Sequence, residues 1–212
     1  MRNGPAGLLT MAMTSPADAV IDLYQRHAAT YDGLRGRLLM EGPWLARFRA
    51  VLAPDATILD IGCGTGQPIA RHFMEQGHAV AGVDSATAMI ALCRSRFPQG
   101  DWHVADMRKL ALGRRFGGLI AWDSFFHLAP EDQRGMFKVF ASHAAPGAVL
   151  MFTSGPAHGE AIGTFEGEAL YHGSLDPGEY RALLAESGFS VVDHVVEDQS
   201  CGGHTIWLAQ HG

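Results

Sequence analysis

The stretch ILDIGCGTGQPIA, residues 58–70, joins a short apolar run to three glycines at alternate positions. The run is typical of a buried strand, and the segment after the glycines has the pattern of a helix start. Gly62, Gly64 and Gly66 let the backbone adopt positive φ and let a ligand approach with no Cβ in its way. A carboxylate, Asp60, stands two residues before the first glycine. The stretch therefore predicts a ligand-binding turn between a strand and a helix.

Strands and helices alternate from this turn onward. Strands are predicted at TILDIG, HAVAGVD, DWHVAD, FGGLIAWD and AVLMFTS, which are residues 57–62, 78–84, 101–106, 116–123 and 148–154. Helices are predicted between them at residues 66–77, 85–97 and 130–144, with Ser85 as an N-cap and Gly77 as a C-cap. Strands separated by helices of this length predict a Rossmann-like, doubly wound α/β fold, in which helices cover both faces of a parallel sheet.

The last part of the chain departs from this alternation. Residues 155–174 are rich in glycine and weakly periodic, which predicts a long loop. A helix is predicted at residues 176–188, where Asp176 is the N-cap. The segments FSVVDHVVE (189–197) and HTIWLAQH (204–211) are joined through two glycines, so they predict an antiparallel hairpin that closes the fold.

Two helices are predicted before the first strand. Ser15-Pro16 is an N-cap followed by proline in the first turn, and it predicts a helix over residues 16–29. A second helix is predicted at residues 43–52. Residues 1–14 have only a short apolar run and two further methionines, so we expect them to be a disordered leader. The rest of the chain is expected to form one domain.

Composition and charge narrow the class of protein. The 212 residues are 47% hydrophobic and 18% charged, with a formal net charge of −6. No run of lysine and arginine exceeds two residues, so we expect no nucleic-acid partner and no membrane surface. Three widely spaced cysteines suit a reducing compartment and predict a cytoplasmic protein. Because Cys201 and His204 lack a second ligand pair, we expect no metal site.

Two classes of cofactor use a glycine turn of this kind. A dinucleotide needs G-x-G-x-x-G, whereas this turn is G-x-G-x-G. The Asp60 carboxylate would repel a pyrophosphate and attract the sulfonium of S-adenosylmethionine (SAM), although it could equally cap local backbone amides. Asp84, at the end of the second predicted strand, suits the ribose hydroxyls of either cofactor. Asp106 and the backbone N–H of Met107, at the tip of the third, suit the edge of an adenine ring.

The motifs resemble, in order and spacing, those of the class I SAM-dependent methyltransferases. The resemblance rests on ILDIGCGTG (58–66), VAGVD (80–84), VADM (104–107) and FGGLIAWDSFFHL (116–128), and it covers roughly residues 20–155. It implies a seven-stranded sheet, mostly parallel with an antiparallel last strand. It also implies a helical lid at residues 15–53 over a core at residues 54–212, with SAM as the methyl donor and S-adenosylhomocysteine (SAH) as the product.

The resemblance also implies residue roles. Asp60 and Gly62 would lie near the methionine part of SAM, Asp84 would hold the ribose, and Arg35 would pair with the methionine carboxylate. The predicted cofactor-binding residues are Tyr24, Tyr31, Arg35, Asp60, Gly62, Gly64, Gly66, Asp84, Ser85, Met89, Asp106, Met107 and Asp123.

Candidates for the methyl acceptor site lie in the lid, after the fourth predicted strand and in the late glycine-rich segment. The rings of the lid could close over the substrate, and the Phe126 ring could stabilise a sulfonium by cation–π attraction. The predicted substrate-binding residues are Trp44, Phe126, His127, His158, Tyr171 and His172. His127, His158 and His172 are the candidate general bases, since an oxygen acceptor must lose a proton and histidine commonly takes it.

The sequence thus predicts an enzyme that transfers a methyl group from SAM to an oxygen or nitrogen atom of a small molecule. The (D/N)-P-P-(Y/F) type motif of several DNA and protein amino-methyltransferases is absent, because the corresponding stretch is DSFF, residues 123–126. Two alternatives remain open at this stage, a non-catalytic binder of SAM or of a nucleoside and, with less support, an NAD-type oxidoreductase. The sequence indicates no particular oligomeric state.

Overall fold

The structure, a computed structural model, describes residues 15–35 and 38–212; the predicted leader at residues 1–14 lies outside them. The strands are β1 Ile58–Ile61, β2 Val80–Asp84, β3 Asp101–Val104, β4 Phe116–Ala121, β5 Ala144–Ser154, β6 Gly159–Phe165, β7 Glu168–Ser174, β8 Phe189–Asp198 and β9 His204–His211. The helices are α1 Pro16–Leu34, α2 Gly42–Val51, α3 Ile69–Glu75, α4 Thr87–Arg96, α5 Pro130–His143 and α6 Pro177–Glu186.

Seven strands form one sheet in the order β3-β2-β1-β4-β5-β9-β8. Strand β1 pairs in parallel with β2 and with β4, and β5 pairs in parallel with β4. Only β9 runs the opposite way, because it pairs antiparallel with both β5 and β8. The predicted fold class and the closing hairpin are therefore confirmed. The order reverses between β1 and β4, and in such sheets the crevice at that point is where ligands bind.

The sheet separates two hydrophobic clusters because its central strands are buried on both faces. In β1, Ile58 contacts the cluster under α2 and α3, whereas Leu59 contacts the cluster under α5 and α6. Trp44 and Phe48 fill the first cluster, and both are fully buried. Aromatic rings dominate the second, where Trp207 stacks on a phenylalanine ring of β5 with centroids 5.8 Å apart. This packing fixes the carboxyl edge of the sheet, where the ligand-binding turn lies.

Helix α1 begins as predicted but extends further. The Ser15 hydroxyl accepts from the Asp18 N–H at 3.1 Å, which satisfies one free donor of the first turn. The helix continues to Leu34 rather than ending at residue 29, with a local break in helical geometry at His27. The extension carries Tyr31 to the carboxyl edge of the sheet.

The prediction of a long loop over residues 155–174 was wrong. Strands β6 and β7 pair antiparallel from Gly159–Ser174 to Phe165–Glu168 and form a separate two-stranded sheet. Their connection is the two-residue turn Glu166-Gly167, in which both φ angles are positive, at 53° and 78°. Such a turn usually begins with Asn, Asp or Gly, so the glutamate hid the hairpin in the sequence.

The β6–β7 hairpin packs against α1. The Glu168 carboxylate accepts from Arg26 at 2.5 Å and from His27 at 2.7 Å. The ring of Phe165, at the end of β6, lies 5.9 Å from the Tyr24 ring and 6.4 Å from the Tyr31 ring. Helix and hairpin therefore cover the same edge of the large sheet.

The structure corrects the predicted starts of two helices, α4 and α3. Helix α4 begins at Thr87 rather than at Ser85, whose hydroxyl instead donates to the Ala105 carbonyl oxygen at 3.3 Å. The Asp84 carboxylate holds the residue before the helix, since it accepts from the Ala86 N–H at 2.8 Å. Helix α3 begins at Ile69 instead of Gly66, so the glycine turn is longer than predicted. Of the helices described, none is both long and apolar enough to cross a membrane.

Candidate active site

A cavity lies at the carboxyl ends of β1, β2 and β4, under α1. Its empty space, including the part open to solvent, is about 710 Å³. Ten of the thirteen predicted cofactor-binding residues line it, together with His127; the ten are Tyr24, Tyr31, Gly62, Gly64, Asp84, Ser85, Met89, Asp106, Met107 and Asp123. The motifs, which are far apart in the sequence, thus meet in one cavity.

The floor of the cavity is the glycine turn. Gly62, Gly64 and Gly66 have φ angles of 76°, 53° and 75°, a region that other residues rarely adopt. A Cβ on Gly62 would lie 2.2 Å from the Cβ of Ser124, whose hydroxyl donates to the Ile61 carbonyl oxygen at 2.7 Å. A Cβ on Gly66 would instead meet the rings beneath the turn, so Gly66 shapes the turn without lining the cavity.

Asp84 joins the glycine turn to the end of β2. One of its carboxylate oxygens accepts from the Gly64 N–H at 3.0 Å, and the other accepts from the Ala86 N–H. Burial raises the pKa of Asp84 to about 6, although both backbone hydrogen bonds oppose this shift. Because each oxygen has a second lone pair, the carboxylate can also accept hydrogen bonds from a ligand in the cavity.

Asp60 lies behind the glycine turn, on β1. Its side chain is buried and does not line the cavity. Burial raises the pKa of Asp60 to about 7, and the negative charge of Asp84 adds to the rise. Asp60 and Asp84 are close to each other and largely shielded from water, so ionising both carboxyl groups costs free energy. A cation bound next to the turn would reduce this cost, so binding of a cation is favoured.

We expect Asp60→Asn to stabilise the protein at pH 8 and to flatten its pH dependence. The unfolded carboxyl ionises near pH 4, so between about pH 4 and 7 the folded chain holds a proton that the unfolded chain has lost. The stability that Asp60 contributes is complete below pH 4 and is lost as the pH rises through 7. Urea unfolding at pH 8 should give a gain of about 1–2 kcal/mol, reduced by burial of the amide. A variant no more stable than wild type at pH 8 would refute this account.

Arg108 joins three segments of the chain at the wall of the cavity. Its guanidinium binds Asp106 at 2.7 Å, Asp18 at 2.7 Å and Asp132 at 3.0 Å, which ties α1 and α5 to the end of β3. The Asp106 carboxylate also accepts from the Arg108 N–H at 2.9 Å. These contacts lower the pKa of Asp106 against the effect of its burial. Arg108 lines the cavity and was not predicted from the sequence, because its partners come from distant segments.

A second cavity of about 520 Å³ adjoins the first. Four residues line both cavities and mark the passage between them: Tyr24, Tyr31, Asp123 and His127. Of these two cavities, only the second is lined by the predicted residues Arg35, Phe126 and His172. Leu170 and His204 line it as well. The structure thus brings three of the six predicted substrate-binding residues, Phe126, His127 and His172, to one place.

His127 is held as a neutral imidazole. Its Nδ1 lies 2.8 Å from the Tyr171 carbonyl oxygen, which can only accept, so Nδ1 carries the proton. The other nitrogen, Nε2, then accepts from the Tyr24 hydroxyl at 3.1 Å. Burial lowers the pKa of His127 to about 4, so the ring remains uncharged at neutral pH.

Asp123 and His204 form a pair that the sequence did not reveal. The Asp123 carboxylate lies 2.9 Å from His204 Nε2, and the Cys201 carbonyl oxygen lies 2.7 Å from His204 Nδ1. Both ring nitrogens face acceptors, an arrangement that suits the doubly protonated ring, and the contact with Asp123 raises the pKa of His204. The two residues are 81 positions apart, so only the antiparallel placement of β9 brings them together.

Three of the predicted substrate-binding residues do not face these cavities. Trp44 is fully buried in the hydrophobic cluster under α2, and its indole N–H donates to Asp198 at 2.8 Å. His158 is exposed in the turn before β6. Tyr171 is buried, and its contact with the site is through its carbonyl oxygen. Arg35 reaches the second cavity but is ion-paired with the fully buried Glu41.

No group of three or more potential metal ligands occurs within residues 15–35 and 38–212. Besides glycines and carboxylates, the two cavities are lined by three tyrosine or phenylalanine rings, three histidines, two arginines and several aliphatic side chains.

Comparisons with known proteins agree with this geometry. Residues 58–147 match a family described as a methyltransferase domain. The chain is 35% identical over 98 residues to dTDP-3-amino-3,6-dideoxy-alpha-D-glucopyranose N,N-dimethyltransferase from Streptomyces fradiae, covering 45% of this chain and 38% of that protein. It is 30% identical over 105 residues to trans-aconitate 2-methyltransferase from Variovorax paradoxus, covering 48% and 39%. The chain thus spans about two fifths of the length of these curated relatives.

The fold is also similar to a solved structure. SAM-bound CalS10, described as an amino pentose methyltransferase from Micromonospora echinaspora, superposes with a TM-score of 0.68 at 22% identity, covering 88% of this chain and 96% of that chain. At this identity the likeness concerns the fold. Together with the matched domain and the motifs around the glycine turn, it agrees with the resemblance to the class I SAM-dependent methyltransferases: residues 58–147 match a methyltransferase domain, and the fold is similar to that of a SAM-bound methyltransferase.

Proposed function

We propose that this protein transfers the methyl group of SAM to an oxygen or nitrogen atom of a small molecule. The observation that carries the proposal is the glycine turn of β1, buttressed by Asp84, at the point where the strand order reverses. The cavity above it is continuous with a second cavity through four shared residues, so a donor and an acceptor can be held side by side.

The residues present fit SAM. The turn is a cradle that a Cβ on Gly62 would close, and it lies between the buried carboxyl of Asp60 and the carboxylate of Asp84. Asp84 would hold the ribose hydroxyls, Asp106 and Met107 would bracket the adenine edge, and Tyr31 would lie against the turn at Gly64. When bound, SAM supplies an electrophilic methyl group on a positively charged sulfur.

The chain's own residues would position the acceptor and exclude water. Helix α1 and the β6–β7 hairpin cover the site from outside, and Glu168 links them. In such a transfer most of the rate gain comes from holding the reacting atoms in line, so a closed, pre-shaped cavity is the main requirement.

For an oxygen acceptor a proton must also be removed, and two histidines are suited to this. His127 has its Nε2 lone pair engaged by the Tyr24 hydroxyl, so it would act through that tyrosine. His172 lines the second cavity, where a nitrogen of its neutral ring can offer a lone pair to the acceptor. Burial lowers the pKa of His172, so the ring is a neutral base at pH 7.

Calorimetric titration with SAM, SAH and NADH tests the donor half of the proposal. We expect micromolar binding of both sulfur compounds and no binding of NADH. A panel of alcohols, phenols and amines would then be assayed for release of SAH. Absence of binding by SAM and SAH to the folded protein would refute the proposal, whereas binding without turnover over a broad panel would favour a non-catalytic binder.

We further propose that the reaction takes place in the cytoplasm. Cys63, Cys93 and Cys201 are all buried as free thiols. The Cys93 thiol donates to the Gly64 carbonyl oxygen at 3.2 Å, so a free thiol supports the glycine turn itself. A reducing compartment preserves this arrangement. Fractionation of cells that express the full-length protein would test the location.

A further inference from the structure

We propose that the methyl acceptor carries an amino group and enters the second cavity as an ammonium ion, bound by the carboxylate of Asp123 under the rings of Tyr24, Tyr31 and Phe126. This inference rests on the proposed function and goes beyond it, because it names the chemical class of the acceptor.

The first argument is the position of Asp123 and the carboxylate oxygen that it leaves for a ligand. Its side chain lines both cavities, so it lies at the passage where donor and acceptor must meet. One carboxylate oxygen, Oδ1, is engaged by His204. Among residues 15–35 and 38–212, the hydrogen bonds found for this carboxylate all go to that oxygen, so Oδ2 offers an acceptor to a ligand.

The backbone holds this carboxylate in place. Asp123 has a φ of 49°, in the left-handed region, and its N–H donates to the Thr153 hydroxyl at 2.9 Å. His204, which fixes Oδ1, is itself fixed by the Cys201 carbonyl oxygen and stacks on the Trp122 ring with centroids 5.3 Å apart. These independent contacts fix both the left-handed backbone of Asp123 and the direction of its carboxylate, so the free oxygen is presented to a ligand in one orientation.

The second argument is the balance of charge and hydrogen-bonding groups around the cavity. Among the residues that the structure describes, two cations line the second cavity, and both already have protein partners. Arg35 is ion-paired with buried Glu41, and both ring nitrogens of His204 face protein oxygens. Asp123 Oδ2 and a ring nitrogen of His172 are hydrogen-bond acceptors left for a ligand. Such a site suits a ligand that donates several hydrogen bonds, as an ammonium group does.

The third argument is the aromatic wall. The Tyr24 and Tyr31 rings lie edge to face with centroids 5.4 Å apart, and the Phe126 ring lies 5.3 Å from the His172 ring. Faces of aromatic rings attract ammonium groups, and the attraction is stronger where both groups are shielded from water. The ammonium must lose one proton before it can accept a methyl group, and the His172 ring nitrogen in the same cavity can receive that proton.

The test compares three probes of one shape: benzylamine, benzyl alcohol and benzoate. Each is titrated calorimetrically into the full-length protein saturated with SAH, which has no sulfonium charge to repel an amine. We expect benzylamine to bind at least about 10-fold more tightly than the other two probes, a difference of about 1.4 kcal/mol. In Asp123→Asn this preference should fall to less than about twofold.

Asp123→Asn is a suitable variant because asparagine also adopts the left-handed region readily, so the turn should survive. The matched control is Asp193→Asn, the same chemical change in an ion pair with Arg47 at the surface, and it should leave the preference unchanged. Melting temperatures of both variants check the fold.

Several results would overturn the inference. Equal or tighter binding of benzoate would assign the cavity to an anionic acceptor held by Arg35. Failure of benzylamine to bind, or an amine preference that persists in Asp123→Asn, would also refute it. Because SAH binding is measured first, its absence from the wild-type protein would refute the proposed function, and the inference would fall with it.

Discussion

Gly62→Ala is expected to abolish SAM and SAH binding and to destabilise the protein by about 3 kcal/mol or more. The backbone conformation at φ 76° costs an alanine about 1–2 kcal/mol. The new Cβ would also lie 2.2 Å from the Cβ of Ser124, an atom fixed to the backbone that cannot rotate away. Relief requires the glycine turn and the segment after β4 to separate, and these two segments together form the cavity. Urea unfolding and calorimetry measure the two effects.

Gly77→Ala is the matched control for this prediction. Gly77 also has a positive φ, 88°, but a Cβ there would have no heavy atom within 4 Å. It follows α3, away from the cavity, so the variant should lose about 1–2 kcal/mol of stability and keep its affinity for SAH. If both variants lost stability equally and both bound SAH, close packing of the turn against Ser124 would not be what shapes the site.

The order of the strands and the ligand-binding turn could be predicted because local signals determine them. The central strands of the large sheet, β1, β4 and β5, carry buried apolar residues on both faces, and glycines and prolines mark several of the boundaries between strands and helices. The pattern ILDIGCGTG joins the two kinds of signal, so one segment identifies both the fold and the place of the cavity. Asp84, at the end of the neighbouring strand, lines this cavity, and its role in binding stays a prediction.

The acceptor side could not be predicted in the same way, because it is built from contacts between distant segments. His204 reaches Asp123 from β9, and Arg108 reaches Asp18 from the end of β3. Neither contact leaves a local pattern. Conversely, Trp44 and His158 have suitable chemistry, but Trp44 is buried in the core and His158 is exposed to solvent before β6.

The β6–β7 hairpin was not predicted from the sequence because its turn begins with a glutamate. Its turn needs positive φ at two successive positions, and Glu166 adopts this conformation at 53° against its usual preference. The strands on either side alternate only weakly, since β6 is exposed along most of its length. Its contacts with α1, through Glu168 and Phe165, supply the stabilisation that local sequence does not indicate.

Asp84→Ala is expected to weaken binding of SAM, SAH and adenosine by a common factor, about 1–3 kcal/mol. The ribose hydroxyls would lose a charged acceptor, and the Gly64 and Ala86 N–H groups would lose the partner that shapes the turn. Because adenosine contains the ribose but no methionine, an equal loss for adenosine and SAH places the effect at the ribose. Calorimetric titration of the three ligands measures the factor.

The wild-type protein should show a related pH dependence. Burial raises the pKa of Asp84 to about 6. Hydroxyl donors favour the ionised carboxylate, so binding must displace a proton when the pH is below 6. Adenosine affinity is therefore expected to fall as the pH drops from 7.5 to 5, and Asp84→Ala should remove that slope.

A control variant distinguishes a purely structural effect of Asp84→Ala from the loss of a contact with the ribose. Asp176→Ala removes another carboxylate that accepts a backbone N–H, that of Gly178 at the start of α6, 2.7 Å away. That variant should lose about 1 kcal/mol of stability without any change in adenosine affinity or in its pH dependence. If Asp84→Ala likewise reduced stability but bound adenosine as tightly as wild type, Asp84 would be a helix cap and a brace of the glycine turn, and the ribose would have to be held by other residues of the cavity.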